Sequence, residues 1–215
     1  MATLTESGIG APPPPDVDLP RGGGGGDDSG RNARGGSRSA SIAGIVVLMC
    51  ASLMTFGAMI SAMVMRREVN TDWQSLPLPR ILYWNTGILL ISSVVIDTAR
   101  RMLKRNKRKY FNALWTAGTV LGTSFLIGQT IAWRQLESKG FYLIGNPSSA
   151  FFYVLTWAHA AHVIGALFGV GYVEYRALRY ELGPAKRTWV DVSAIFWHFL
   201  DVLWLCIMGL FVYWA

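Results

Sequence analysis

The sequence predicts an all-α, polytopic membrane protein: a bundle of five transmembrane helices behind a structureless N-terminal tail. Three observations carry this. The chain is 52% hydrophobic over 215 residues, with a mean hydropathy of +0.31. Only 15% of its residues are charged, against roughly a quarter in a soluble domain. The apolar residues fall into five runs of about the twenty residues that a bilayer requires. Nine Trp, eight Tyr and ten Phe suit aromatic belts at the two interfaces.

Residues 1–40 hold Pro12 to Pro15, Gly22 to Gly26 and then Gly, Ser and Arg. Such a stretch buries too little apolar surface to offset its ordering entropy, so it reads as a disordered cytoplasmic tail. It is not a signal peptide, because an acidic, Pro-rich start precedes any apolar run. Span one covers about 42–65 and closes on Arg66 and Arg67. Span two, about 80–97, follows Leu76-Pro77-Leu78-Pro79; proline is tolerated there because the first helical amides have no intrahelical partner. The most basic stretch, Arg100 to Lys109, comes next. Span three covers about 111–133, with Gly118 and Gly122 spaced GxxxG. Span four covers about 150–173, with Gly165 and Gly169 spaced likewise. Such pairs let helix backbones approach closely in lipid. Span five, about 190–214, is apolar all round.

Net charge is +7. The basic residues flank spans rather than forming a patch on a soluble domain, so no nucleic acid is implied. They crowd one side: the tail, the Arg100 to Lys109 loop, and Arg176, Arg179, Lys186 and Arg187. The other side holds Arg66, Arg67, Arg80, Arg134 and Lys139. This asymmetry places the N-terminus in the cytoplasm and the C-terminus outside. The two cysteines, Cys50 and Cys206, sit in apolar runs with no metal-ligand spacing, and read as buried small apolar residues. Asp97 and Glu174 stand at span ends near Arg100, Arg101 and Arg176, and read as interfacial pairs.

All three histidines lie in spans: His159 and His162 on span four, His198 on span five, three residues before Asp201. A carboxylate in hydrocarbon is costly unless it faces protein or finds a partner. So Asp201 is expected to face inward and to hydrogen-bond to His162 or His198. Equal distances from the cytoplasmic ends of the two spans put His162 and Asp201 level, each roughly 16 Å deep at about 1.5 Å per residue. Three roles compete for this cluster: haem or metal ligation, a proton relay, and hydrogen bonding that fixes helix packing. His159 and His162 share one face and cannot grip a haem from both sides; a His162–His198 pair stays open. A small transporter would predict inverted repeats and broken helices; Pro77, Pro79, Pro147 and Pro184 all lie outside span interiors.

Trp197-His198-Phe199-Leu200-Asp201-Val202 and Trp204 resemble the closing helix of subunit III of the haem-copper oxidases, the family of cytochrome c and quinol oxidases. Other spans carry further motifs in order. Asn85-Thr86 and Ser92-Ser93 follow the proline start of span two. Gly122, Phe125, Gln129 and Trp133 stand on span three. Phe152 to Thr156, then His159-Ala160-Ala161-His162, stand on span four. The resemblance implies a non-catalytic subunit of a proton-translocating terminal oxidase in a bacterial inner membrane, in the shorter five-helix form. It implies oxidase subunits I and II as partners, haem and copper in those partners and none in this chain, bound phospholipid, and a role in sustaining activity and proton uptake. Gly57, Asn85 and Ser92 are then expected to meet subunit I and lipid. A quinol oxidase subunit or the related accessory protein of nitric oxide reductase are the variants within the family. One departure stands out: Ser52 occupies the position of the family's span-one glutamate.

Overall fold

The computed structural model describes residues 28–69, 76–179 and 187–213, with residues 28–40 and Arg187 as backbone alone. Five helices follow one another: α1 (Asp28–Val69), α2 (Ile81–Lys104), α3 (Arg108–Ser138), α4 (Pro147–Leu178) and α5 (Arg187–Tyr213). No strand occurs among the described residues. Helices α2, α3, α4 and α5 form a closed ring in which each packs on two neighbours, and α1 docks outside it, against α4 and α5.

Among the described residues, four helices are long and apolar enough to cross a membrane: the Ser41–Val69 part of α1, α2, α4 and the Thr188–Tyr213 part of α5. Helix α3 is outside that group because hydroxyls dilute its hydropathy. Those hydroxyls are satisfied locally. Thr119, Thr123, Ser124 and Thr130 each donate to the carbonyl four residues back.

The helix ends follow local chemistry. Helix α2 begins where Leu82 N–H bonds to Pro79 O at 3.0 Å. Its turn into α3 is short, with Asn106 at a φ of 60°, a left-handed conformation that asparagine tolerates better than most residues. Helix α3 closes at Gly140, whose φ of 85° lets Phe141 N–H reach back to Leu136 O at 3.2 Å. Helix α4 starts at Pro147 behind Asn146, whose side chain accepts from Ser148 N–H at 3.1 Å.

Most helices overrun the spans read from hydropathy. Helix α2 continues through Arg100 and Arg101 to Lys104, and α3 and α4 are longer at both ends. Hydropathy marks the hydrocarbon boundary, while a helix continues into the polar interface. Helix α1 likewise starts at Asp28, so part of the Gly/Ser/Arg segment is helical. The tail over 1–27, the connection containing Pro184 and Lys186, and the terminal Trp214 and Ala215 lie outside the described residues.

Cys50 and Cys206 are corrected: both are exposed on outer helix faces. An apolar run does not reveal which of its faces meets protein, because lipid accepts an apolar side chain as readily as the bundle interior does.

Candidate functional site

The inner faces of the ring carry a seam of polar side chains. On α2 these are Asn85, Thr86, Ser92 and Ser93. Asn85 and Ser92 are fully buried. Asn85 Nδ2 donates to Phe125 O at 3.5 Å, and Ser92 Oγ donates to Gly118 O at 3.2 Å. Both are therefore engaged between α2 and α3, which corrects the expectation that they face a partner chain. Gly57 is exposed on α1, with nothing within 4 Å of a Cβ placed there.

Glycines on α3 make this approach possible. A Cβ at Gly128 would strike the Asn85 amide, one at Gly118 would meet Ile96 at 2.6 Å, and one at Gly122 would strike the Trp197 ring. The GxxxG pair of α3 thus faces three helices: Gly118 faces α2, and Gly122 faces Trp197 of α5 and Leu167 of α4. The pair on α4 has no such function: Gly165 meets nothing within 4 Å, and Gly169 makes an ordinary 3.6 Å contact with Ser193.

Tryptophans tie the seam together. Trp204 Nε1 donates to Thr86 Oγ1 at 3.0 Å, and Thr86 donates onward to Leu82 O at 2.8 Å. Trp133 Nε1 donates to Thr156 Oγ1 at 3.1 Å, and Thr156 donates to Phe152 O at 2.7 Å. Trp115, which sequence reasoning missed, donates to Val170 O at 3.0 Å. Trp197 is buried over Gly122, and its Nε1 has no partner.

The three histidines turn to three different neighbours. His159 is wholly buried between rings, 4.9 Å from Trp204 and 6.0 Å from Phe125 by centroids. His162 has Nδ1 2.8 Å from Ala158 O and its ring 5.3 Å from Phe56 of α1. His198 has Nδ1 2.6 Å from Ser93 Oγ on α2. The His162–His198 pair left open by the sequence is therefore not formed. No group of three or more His, Cys, Asp or Glu suited to a metal ion occurs among the described residues.

Asp201 is buried and faces protein. His198 Nδ1 lies 3.8 Å from its Oδ2, an ion-pair distance beyond hydrogen-bond length. His162 lies at the expected depth beside Asp201 but does not turn toward it. The ring pairs His159–Trp204 and Phe152–Phe211 set the α4–α5 register, and the same register puts His162 opposite Asp201. Its side chain nevertheless leaves the ring toward α1. Ser52 is also on that inward face of α1, buried, with its hydroxyl donating to Leu48 O at 2.8 Å.

At the helix ends beside the most basic loop, Asp97 pairs with Arg101 at 2.6 Å, as expected. Glu174 instead accepts from Thr116 of α3 at 2.7 Å. Arg100 crosses from α2 to Asp191 of α5 at 2.5 Å, a pair whose long sequence separation hid it. A cleft of about 680 Å³ opens between α1, α4 and α5, lined by Ile45, Leu48, His162, Tyr172, Trp189 and Phe196 among others.

Comparison with known proteins follows this pattern. The family described as Cytochrome c oxidase subunit III matches residues 42–215. A cytochrome c oxidase subunit 3 from Thermostichus vulcanus is 28% identical over 79% of this chain and 85% of its own length. One from Corynebacterium diphtheriae is 28% identical over 79% of this chain and 84% of its own. A cytochrome bo(3) ubiquinol oxidase subunit 3 from Pseudomonas putida is 32% identical over 57% of this chain and 59% of its own.

Proposed function

Because the chain belongs to the cytochrome c oxidase subunit III family, we propose that it is a non-catalytic subunit of a proton-translocating terminal oxidase. Its task is to support the assembly and sustained activity of the catalytic subunit during oxygen reduction. The observation that carries this reading is the family match across all five helices, and the packing of the seam agrees with it. His162 and His198 bond to nearby backbone or hydroxyl groups, and Trp204, Trp133, Asn85 and Ser92 bond across helices. This is the pattern of a scaffold.

On this reading haem and copper belong to partner subunits, with subunit I as the catalytic neighbour and subunit II completing the complex. The location is a bacterial inner membrane, with the Arg100 to Lys109 loop cytoplasmic. Helix α3 crosses as the fifth span. Its 31 residues reach roughly 46 Å at about 1.5 Å per residue, and its hydroxyls bond to its own backbone. Phospholipid is proposed for the cleft between α1, α4 and α5. Support comes from its apolar wall, from Tyr172 and Trp189 at one end, and from Arg176, 4.9 Å over the Tyr172 ring. The identity of the electron donor rests with other subunits; the Pseudomonas relative keeps quinol beside cytochrome c.

The test is copurification in mild detergent with the full chain tagged. A haem- and copper-containing oxygen reductase should come with it. Oxidase lacking the chain should begin turnover normally and then lose activity sooner. A haem Soret band belonging stoichiometrically to the isolated chain, or an oxidase with no oxygen-reducing activity from the first turnover without it, would overturn the reading.

A further inference from the structure

Among the described residues, four buried side chains have no hydrogen-bond partner for any of their polar atoms. Besides Trp197 they are Gln129 on α3, His159 on α4 and Asp201 on α5, with exposures of 1%, 0% and 4%. These last three lie at one level. The α4–α5 register, with His159 against Trp204, places His159 one turn from the level of Asp201. On α3 against α4, Trp133 meets Thr156 and Gly122 faces Leu167, which places Gln129 opposite Ala160. The three groups thus fall within about one helical turn of depth, roughly 5 Å.

The surrounding protein gives Gln129 and His159 no hydrogen-bond partner, and gives Asp201 only His198, at 3.8 Å, with Ser93 beside it. Phe125 and Trp204 pack on His159 with ring faces and edges. The hydroxyls of Thr86 and Thr156 already donate to backbone carbonyls and accept from tryptophans. An amide, an imidazole and a carboxylate left dry at this depth would oppose folding strongly, and native interiors seldom retain such groups without a partner.

We propose that Gln129, His159 and Asp201 form a buried hydration site that holds ordered water at the centre of the α2–α5 ring. The chemistry selects water. Gln129 offers both a donor and an acceptor, neutral His159 offers one of each, and Asp201 offers acceptors. An anion would meet the carboxylate, and a metal ion would meet a single imidazole and the donor face of an amide. Water can donate and accept, and two to four polar partners suffice to hold it.

The experiment uses the whole oxidase complex in lipid nanodiscs. A cryo-EM map fine enough to resolve ordered water should show density within hydrogen-bond distance of Gln129 and of at least one of His159 and Asp201. In the same complex, Gln129→Met and His159→Phe should each lower the Tm of this subunit by several degrees. The double variant should lose less than the sum of the two, because both residues hold the same water. No density beside the three side chains would overturn the site. So would a rise in Tm in either single variant, the result expected when a dry, unpartnered polar group is removed. Should a variant fail to assemble, the unmodified complex still decides through its map.

Discussion

Helix α1 and the α2–α5 ring use the same kind of residues to opposite ends. On α3 of the ring, glycine admits a neighbour: Gly118, Gly122 and Gly128 each leave room for a side chain that a Cβ would strike. In α1, Gly44 and Gly57 meet nothing, as do Gly87, Gly165, Gly171 and Gly209 on the other ring helices. Serine on α2 crosses between helices, as Ser92 does to α3 and Ser93 to His198. Ser52 on α1 bonds back to its own helix. Helix α1 holds on through one seam, with Met49, Ser52, Phe56, Ile60 and Met63 turned inward, while Val47, Met54 and Met65 are exposed. The lesson is that apolar area does not bind a helix in a bilayer. Close approach and polar cross-links do, and they are concentrated in the ring.

The largest test of that contrast is Gly122→Leu. The new side chain would collide with the rigid Trp197 ring, and a loss of about 3 kcal/mol or more is expected. It would be read as a lower Tm and as loss of the subunit from the purified complex. Trp204→Phe keeps an aromatic ring but removes the donor to Thr86 and leaves a small cavity at a buried site. A double-mutant cycle with Thr86→Val separates the two, and a coupling of about 1 kcal/mol is expected for the bond, in the range of interhelical hydrogen bonds in membranes. Arg100→Gln removes the α2–α5 ion pair with Asp191, whose side chains are 24% and 32% exposed. About 0.5 kcal/mol is expected, shrinking further as salt is raised; a salt-independent loss of several times that size would mean the pair is a structural lock.

The smallest expected effect sharpens the comparison most. Gly57→Leu on α1 should leave the fold of the subunit unchanged, since open space surrounds that position. Measured in the assembled oxidase, the same variant reports on the neighbour. A marked loss of assembly with an intact fold would mean that the outer face of α1 is covered by another subunit, whereas no change would leave it to lipid.

The helices were legible because hydropathy records where hydrocarbon begins and ends, and the family was legible from ordered motifs on four of the spans. Facing was not. Asp201 could be placed inward because ionisable groups are excluded from lipid. Cys50, Cys206 and Gly57 could not be placed, since lipid and interior treat them alike. His162 shows the limit most plainly. Its depth followed from counting residues along two antiparallel helices, but its direction depended on α1, a helix distant in sequence. The unpartnered state of Gln129 could not be read either, because a glutamine in an apolar run looks the same whether its amide meets a carbonyl or not.

The short turn at Asn106 bears on how the protein is made. Helix α3 is the least apolar of the five, so a translocation channel that sorts segments one at a time by partition into lipid would retain it weakly. Helix α2 is synthesised first. It already carries Asn85 and Ser92 on the face that α3 will occupy, and the turn between them is too tight to permit any arrangement but an antiparallel pair. Insertion of α3 should therefore depend on α2 as a waiting template, with the two arms entering the bilayer as one helical hairpin. Replacing Asn85 and Ser92 on that face by side chains that cannot bond to α3 would then be expected to lose more of α3 to the aqueous side.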